Sequence, residues 1–151
     1  MISFRRTVPI VATALFGMLA GYSGSATSAS PSQDAAKKNL SDGLYNAAQA
    51  QRGQTAYGQV CSSCHLGDLS GSDQAPSLAG GDFLDRWDGQ SVVDLVDRIR
   101  TSMPADNVGS LNTPSSTDIV AYILQANKFP AGQDELKADR SLLRTIVIKK
   151  R

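Results

Sequence analysis

An all-α fold is what this sequence predicts, and three features point to it. Apolar residues recur at helical spacing in three separate segments, around Gly53–Val60, Val92–Ile99 and Ile119–Ala126. The stretches between them are long, rich in glycine and without period. Aromatic residues make up only 6% of the chain, so three or more helices would close around an interior that their own side chains fill poorly. At 151 residues the chain has the length of one domain with a real core. Its 41% hydrophobic and 19% charged content suit a soluble globular protein, and a formal charge of +1 makes no case for nucleic acid.

Residues 1–29 have the layout of a secretory signal. Arg5 and Arg6 form a positive start, Val8 to Ala20 an apolar run, and "GSATSAS" a small-residue end with Thr27-Ser28-Ala29 as the cleavage site. The apolar run is short of the ~20 residues that span a bilayer. The expectation is export to the periplasm with no membrane span after cleavage; an uncleaved signal would tether the chain to the inner membrane.

Residues 30–43 are polar and read as a flexible linker. The main domain is expected over 44–132. It opens with a helix from Leu44 to Val60, on whose last turns Gly53, Tyr57 and Val60 share one face. A glycine on that stripe costs helix stability, and close approach by another backbone is its usual compensation. Residues 66–89 form a long loop with Pro76 and five glycines, a length uncommon in a compact domain unless it binds something. "SVVDLVDRIRT" (91–101) is a helix with Val92, Leu95, Val96 and Ile99 inward, its Asp and Arg residues on the wet face, and Ser91 with Asp94 as a capping box. Pro104 ends it and leaves Met103 in extended backbone. The last core helix takes Thr113 as cap and Pro114 at its first position, buries Ile119, Tyr122, Ile123 and Ala126, and ends at Asn127 and Pro130. Residues 133–151 extend past this core, either packed on it or facing a partner, with "SLLRTIVIKKR" open to a strand or a helix.

Both cysteines of the chain and its one histidine fall within Cys61-Ser62-Ser63-Cys64-His65. A disulfide or a redox dithiol would account for the cysteines, but neither needs His65. So short a loop gains little from a bridge, and a zinc site lacks further Cys or His ligands. Cys-x-x-Cys-His has its own logic, the covalent attachment of haem c. The two thiols form thioethers with the porphyrin vinyl groups, and the adjacent imidazole lies beneath the ring, placed to coordinate iron. One haem c bound through Cys61 and Cys64 is therefore expected. The far side of the iron asks for a second soft or nitrogenous donor. With Met1 and Met18 in the signal, Met103 is the thioether that remains. His65 and Met103 are the expected iron ligands, a pair that raises the reduction potential and suits electron transfer; gap-filling in the core is the competing role for Met103.

The segments "RGQTAYGQVCSSCH", "APSLAG", "RIRTSMP" and "DIVAYILQANKFPAG", in that order and spacing, resemble a class I c-type cytochrome over Gly53 to about Gly132. The resemblance implies the class I cytochrome c fold, helices and long loops around a single haem. It also implies that Gly53 and Tyr57 meet Tyr122 where the first and last helices cross, and that the Pro76 carbonyl accepts the His65 ring N–H. By the same resemblance Leu78 packs on the proximal haem face and Trp87 lies near a propionate; ordinary core packing would equally account for Tyr57, Leu78 and Trp87. "YILQANKFPAG" and the Trp87-Asp88-Gly89 step are similar to small cytochromes that serve periplasmic dehydrogenases, quinoprotein alcohol and sugar dehydrogenases among them.

The function so implied is one-electron transfer, without catalytic residues, from a periplasmic dehydrogenase or respiratory complex to an oxidase or another cytochrome. Gly53 to Asn127 holds nine acidic and three basic residues, and Lys128 onward seven basic and three acidic, a split that would steer a charged partner. Two alternatives stay open. One is a haem enzyme or gas sensor with an open sixth iron position; the other is a thiol–disulfide oxidoreductase.

Overall fold

Among residues 38–150, which the computed structural model of the protein describes, α-helices carry most of the regular structure. The signal expected over 1–29 and the start of the 30–43 linker lie outside the described residues. Helix α1 (Ala47–Val60) starts where Asn46 Oδ1 accepts the Gln49 N–H at 2.9 Å, three residues later than Leu44, because Asn is a strong cap and leucine is not. Helix α2 (Ser62–His65) is a single turn that follows directly.

Helix α3 (Gly81–Trp87) lies inside the segment read as loop. Seven residues hold three large apolar ones, Phe83, Leu84 and Trp87, too short a run for a period to emerge. Phe83 and Trp87 are buried, with ring centroids 6.2 Å apart. Helix α4 (Val92–Ser102) buries Val92, Val93, Leu95, Val96 and Ile99. At its start the Ser91 N–H and hydroxyl donate to the Asp94 carboxylate at 3.0 and 2.6 Å.

Helix α5 (Thr113–Ala126) begins one residue before the expected position. Asn112, rather than Thr113, is the cap and accepts the Ser115 N–H at 2.8 Å, which shifts Pro114 to the second helical position. Its middle, Ile119 to Leu124, is buried all round, so it serves as the central helix of the core. It crosses α1 closely: a Cβ added to Gly53 would lie 1.8 Å from the Asp118 carbonyl oxygen. The Tyr57 and Tyr122 rings meet there at 5.3 Å and 57°.

The C-terminal stretch forms both a helix and a strand. Helix α6 (Arg140–Thr145) is capped by Asp139, and strand β2 (Ile146–Val147) pairs in parallel with β1 (Lys38–Asn39). Leu143, Ile146 and Ile148 are fully buried. Ile148 also exchanges backbone bonds with Gly89 and Gln90, both at 2.9 Å. Arg140 pairs with Asp97 on α4. The tail thus straps the turn between α3 and α4. The flexible reading of 30–43 gives way from Lys38 onward, because β1 and the 3₁₀ turn Leu40–Asp42 bury Leu40. No helix among the described residues is long and apolar enough to cross a membrane.

Candidate functional site

Where α1 ends, the Cys61 N–H still bonds to the Tyr57 carbonyl at 2.9 Å, and the α2 turn closes through His65 N–H to Cys61 O at 2.9 Å. One helical turn puts Cys61 and Cys64 on the same side. Both thiols are free, Cys61 half-buried and Cys64 exposed. Burial, and then the neighbouring Cys64, push the Cys61 thiol up to about 11. That is opposite to what a nucleophilic thiolate needs.

His65 is 6% exposed, and its Nδ1 lies 2.8 Å from the Pro76 carbonyl oxygen. A carbonyl only accepts, so Nδ1 carries the proton and donates it. In the neutral imidazole the other ring nitrogen, Nε2, then keeps its lone pair, and it has no hydrogen bond among the described residues. It is a ready metal ligand.

The chain has to turn sharply after His65 to bring Pro76 back to the ring. Leu66 takes φ 62° and ψ 158°, backbone that is nearly restricted to glycine and costs ~1–3 kcal/mol. The Tyr57 hydroxyl holds it there by donating to the Leu66 carbonyl at 2.6 Å. Burial, with Cys61, Tyr122 and Asp68 nearby, pushes the Tyr57 phenol well above its ordinary range, so it stays a donor. Gly71, at φ 77°, bonds to the His65 carbonyl at 3.1 Å; a Cβ there would sit 2.4 Å from the Ser77 nitrogen. The Ser72 hydroxyl donates to the Cys64 carbonyl at 2.8 Å, and Leu78 N–H to Leu69 O at 2.9 Å closes the loop.

Asn127 fixes the far end of this loop. Its Nδ2 donates to the Leu78 and Ile123 carbonyls at 2.9 and 2.8 Å, while its Oδ1 accepts the Gly80 N–H at 3.0 Å. Sequence reasoning took Asn127 for a helix end only. The missed signal is its place eight residues after Ile119 and four after Ile123, on the buried stripe, where a polar side chain requires partners.

The predicted residues fall into two groups. Cys61, Cys64, His65 and Pro76 are brought together directly, and Leu78 is half-buried on the same loop. Trp87 ends α3 at 8% exposure. Met103 is half-buried at the end of α4, extended at φ −131° and ψ 152°, with its N–H on the Ile99 carbonyl at 3.0 Å. No hydrogen bond or ring contact among the described residues joins Trp87 or Met103 to His65. Two free thiols beside an imidazole held through its Nδ1 are the groups that covalent attachment of haem c uses, so the residues present fit that group; Met103 offers a thioether from a separate segment. A surface groove of about 360 Å³ lined by Gln49, Arg52, Asp118 and Glu135 contains none of them; Arg52 there is paired with both acids.

Residues 48–123 match the family model described as cytochrome c oxidase, cbb3-type, subunit III. Comparison with curated proteins gives no match. A similar solved structure is that of the sulfane dehydrogenase SoxCD from Paracoccus pantotrophus, at a TM-score of 0.47 and 20% identity, covering 77% of this chain. The chain spans 61% of the length of that one.

Proposed function

On the premise that this chain belongs to the cytochrome c oxidase cbb3-type subunit III family and is a class I c-type cytochrome, we propose that it carries single electrons on one haem c with His65 and Met103 as iron ligands. The observation that carries this reading is the His65 ring, buried beside two free cysteines and oriented by the Pro76 carbonyl. When bound, haem c supplies an iron that alternates between two oxidation states. Cys61 and Cys64 hold the macrocycle through thioethers. The Pro76 carbonyl fixes the imidazole by accepting the Nδ1–H hydrogen bond, which raises the basicity of Nε2. Met103 supplies sulfur from a backbone that α4 and Pro104 hold extended. Leu78 would pack on the proximal face of the group, and Trp87 would lie near a propionate.

The role is that of a carrier in the periplasm, with a dehydrogenase or respiratory complex as donor and an oxidase or another cytochrome as acceptor. The family's description names an oxidase subunit, which supports the acceptor. The raised Cys61 thiol argues against a dithiol redox enzyme. Protein from a host that matures c-type cytochromes tests the reading. The expected result is haem that stays on the chain through a denaturing gel, with a sulfur–iron band in the oxidised visible spectrum that Met103→Ala abolishes. Colourless protein, its thiols free or joined, refutes haem attachment; an unchanged band in Met103→Ala refutes the sulfur ligand.

A further inference from the structure

Arg100 Nε is the buried side-chain nitrogen that has no hydrogen-bond partner among the described residues. A guanidinium is charged at any pH the protein meets, and native folds rarely leave a buried donor unmade without an unseen partner. The carboxylates on its own helix are already committed. Asp94 takes the Ser91 N–H and hydroxyl, and Asp97 is paired with Arg140. No carboxylate among the described residues forms an ion pair with Arg100. Arg100 and Met103 are three positions apart, so the two lie on one side of α4 and of the turn that ends it. That side is where the preceding subsection puts the cofactor.

We propose that the Arg100 guanidinium donates from Nε to a propionate carboxylate of the haem, a proposal that rests on the haem c reading above. Haem carries two propionates, and a carboxylate is the group a planar guanidinium fork matches best. Arg100 is then a positioning residue. It anchors the macrocycle at the edge and holds a positive charge beside the iron, which disfavours the oxidised, more positive state. The charge raises the reduction potential.

Potentiometric titration of Arg100→Gln and Arg100→Lys, with the resonance Raman bending bands of the propionates, tests this. Arg100→Gln is expected to lower the reduced-to-oxidised ratio at a fixed potential about tenfold, or ~59 mV for a one-electron couple, and Arg100→Lys by less. A reduced-to-oxidised ratio unchanged within about twofold in Arg100→Gln, its haem and sulfur–iron band intact, overturns the proposal. If Arg100→Gln does not accumulate, Arg100→Lys decides: a shifted propionate band supports the contact and an unchanged one ends it. Colourless wild-type protein takes down the haem c reading itself, an outcome separate from any of these.

Discussion

Two glycines on one helix should respond to alanine with opposite sign. At Gly58 an added Cβ meets nothing within 4 Å and the site is exposed, so Gly58→Ala gains the helix propensity difference of ~0.8–1 kcal/mol. Gly53→Ala gains the same term, but its Cβ would sit 1.8 Å from the Asp118 carbonyl oxygen and 2.5 Å from the carbon. Ordinary contact needs 3.4 Å or more, so α1 and α5 must separate by well over an ångström, and backbone cannot rotate away as a side chain does. Overpacking a well-filled core costs ~1–3 kcal/mol and occasionally more. The most extensive helix contact of the fold is at stake here, so the upper part of that range applies. Net of propensity, Gly53→Ala should lose ~2 kcal/mol or more, a fall in Tm on the order of 10 °C for a domain of this size. Thermal unfolding followed by far-ultraviolet circular dichroism compares both variants with the wild type. A Gly53→Ala protein as stable as Gly58→Ala would refute the close crossing.

Asn127→Ala should destabilise the protein by ~2–3 kcal/mol, because it strips partners from the Leu78 and Ile123 carbonyls and the Gly80 N–H. Denaturant midpoints measure that loss. Hydrogen exchange at Gly80 and Leu78 should accelerate more than in α1; uniform acceleration would mean the loop is not held by this side chain. The Arg140–Asp97 pair predicts a pH dependence. The Arg140 hydrogen bond holds the Asp97 carboxyl below its ordinary 3.8, so its stabilisation is present above that value and is lost as pH falls through the lower, folded value. Arg140→Gln should therefore be slightly less stable than wild type at pH 7, and the gap between their denaturation midpoints should narrow as pH falls below 3.8. A gap that widens on acidification would refute the assignment.

How much of this was legible in the sequence depended on whether a residue acts through its neighbours in the chain. Helices α1, α4 and α5 announced themselves because i, i+4 repetition is a local property, and the Cys-x-x-Cys-His motif stood out because two thiols and an imidazole fall within five consecutive residues. Gly53 was legible for a different reason: a glycine on a buried stripe is a cost that something must offset, and α5 offsets it. The rest required tertiary partners. Phe83 and Trp87 make a helix only because the core receives both. "SLLRTIVIKKR" splits into helix and strand because β1 and the Gly89–Gln90 backbone wait for it. Arg100 was read as part of a wet face, yet its Nε is buried; the long side chain lets the head of an outward residue fold back. Asn127 is the harder miss, since its partners on the loop, Gly80 and Leu78, lie 47 and 49 residues away.

These tertiary partners converge on α5, and this explains why one helix affects both sides of the site. Through Gly53 and Tyr122 it seats α1, from whose end Cys61 and the His65 turn project. Through Asn127 it anchors the loop that returns Pro76 to the imidazole. Its buried middle also packs on α4, which runs into Met103 and is pinned at its start by Ser91–Asp94 and at its side by the tail. The proposed ligands His65 and Met103 come from two segments 38 residues apart and would need a rigid element common to both, because one-electron transfer is fast only when neither ligand must move between oxidation states. Substitutions in the middle of α5 should therefore perturb the His65 and Met103 sides together, whereas those in the tail should reach Met103 first.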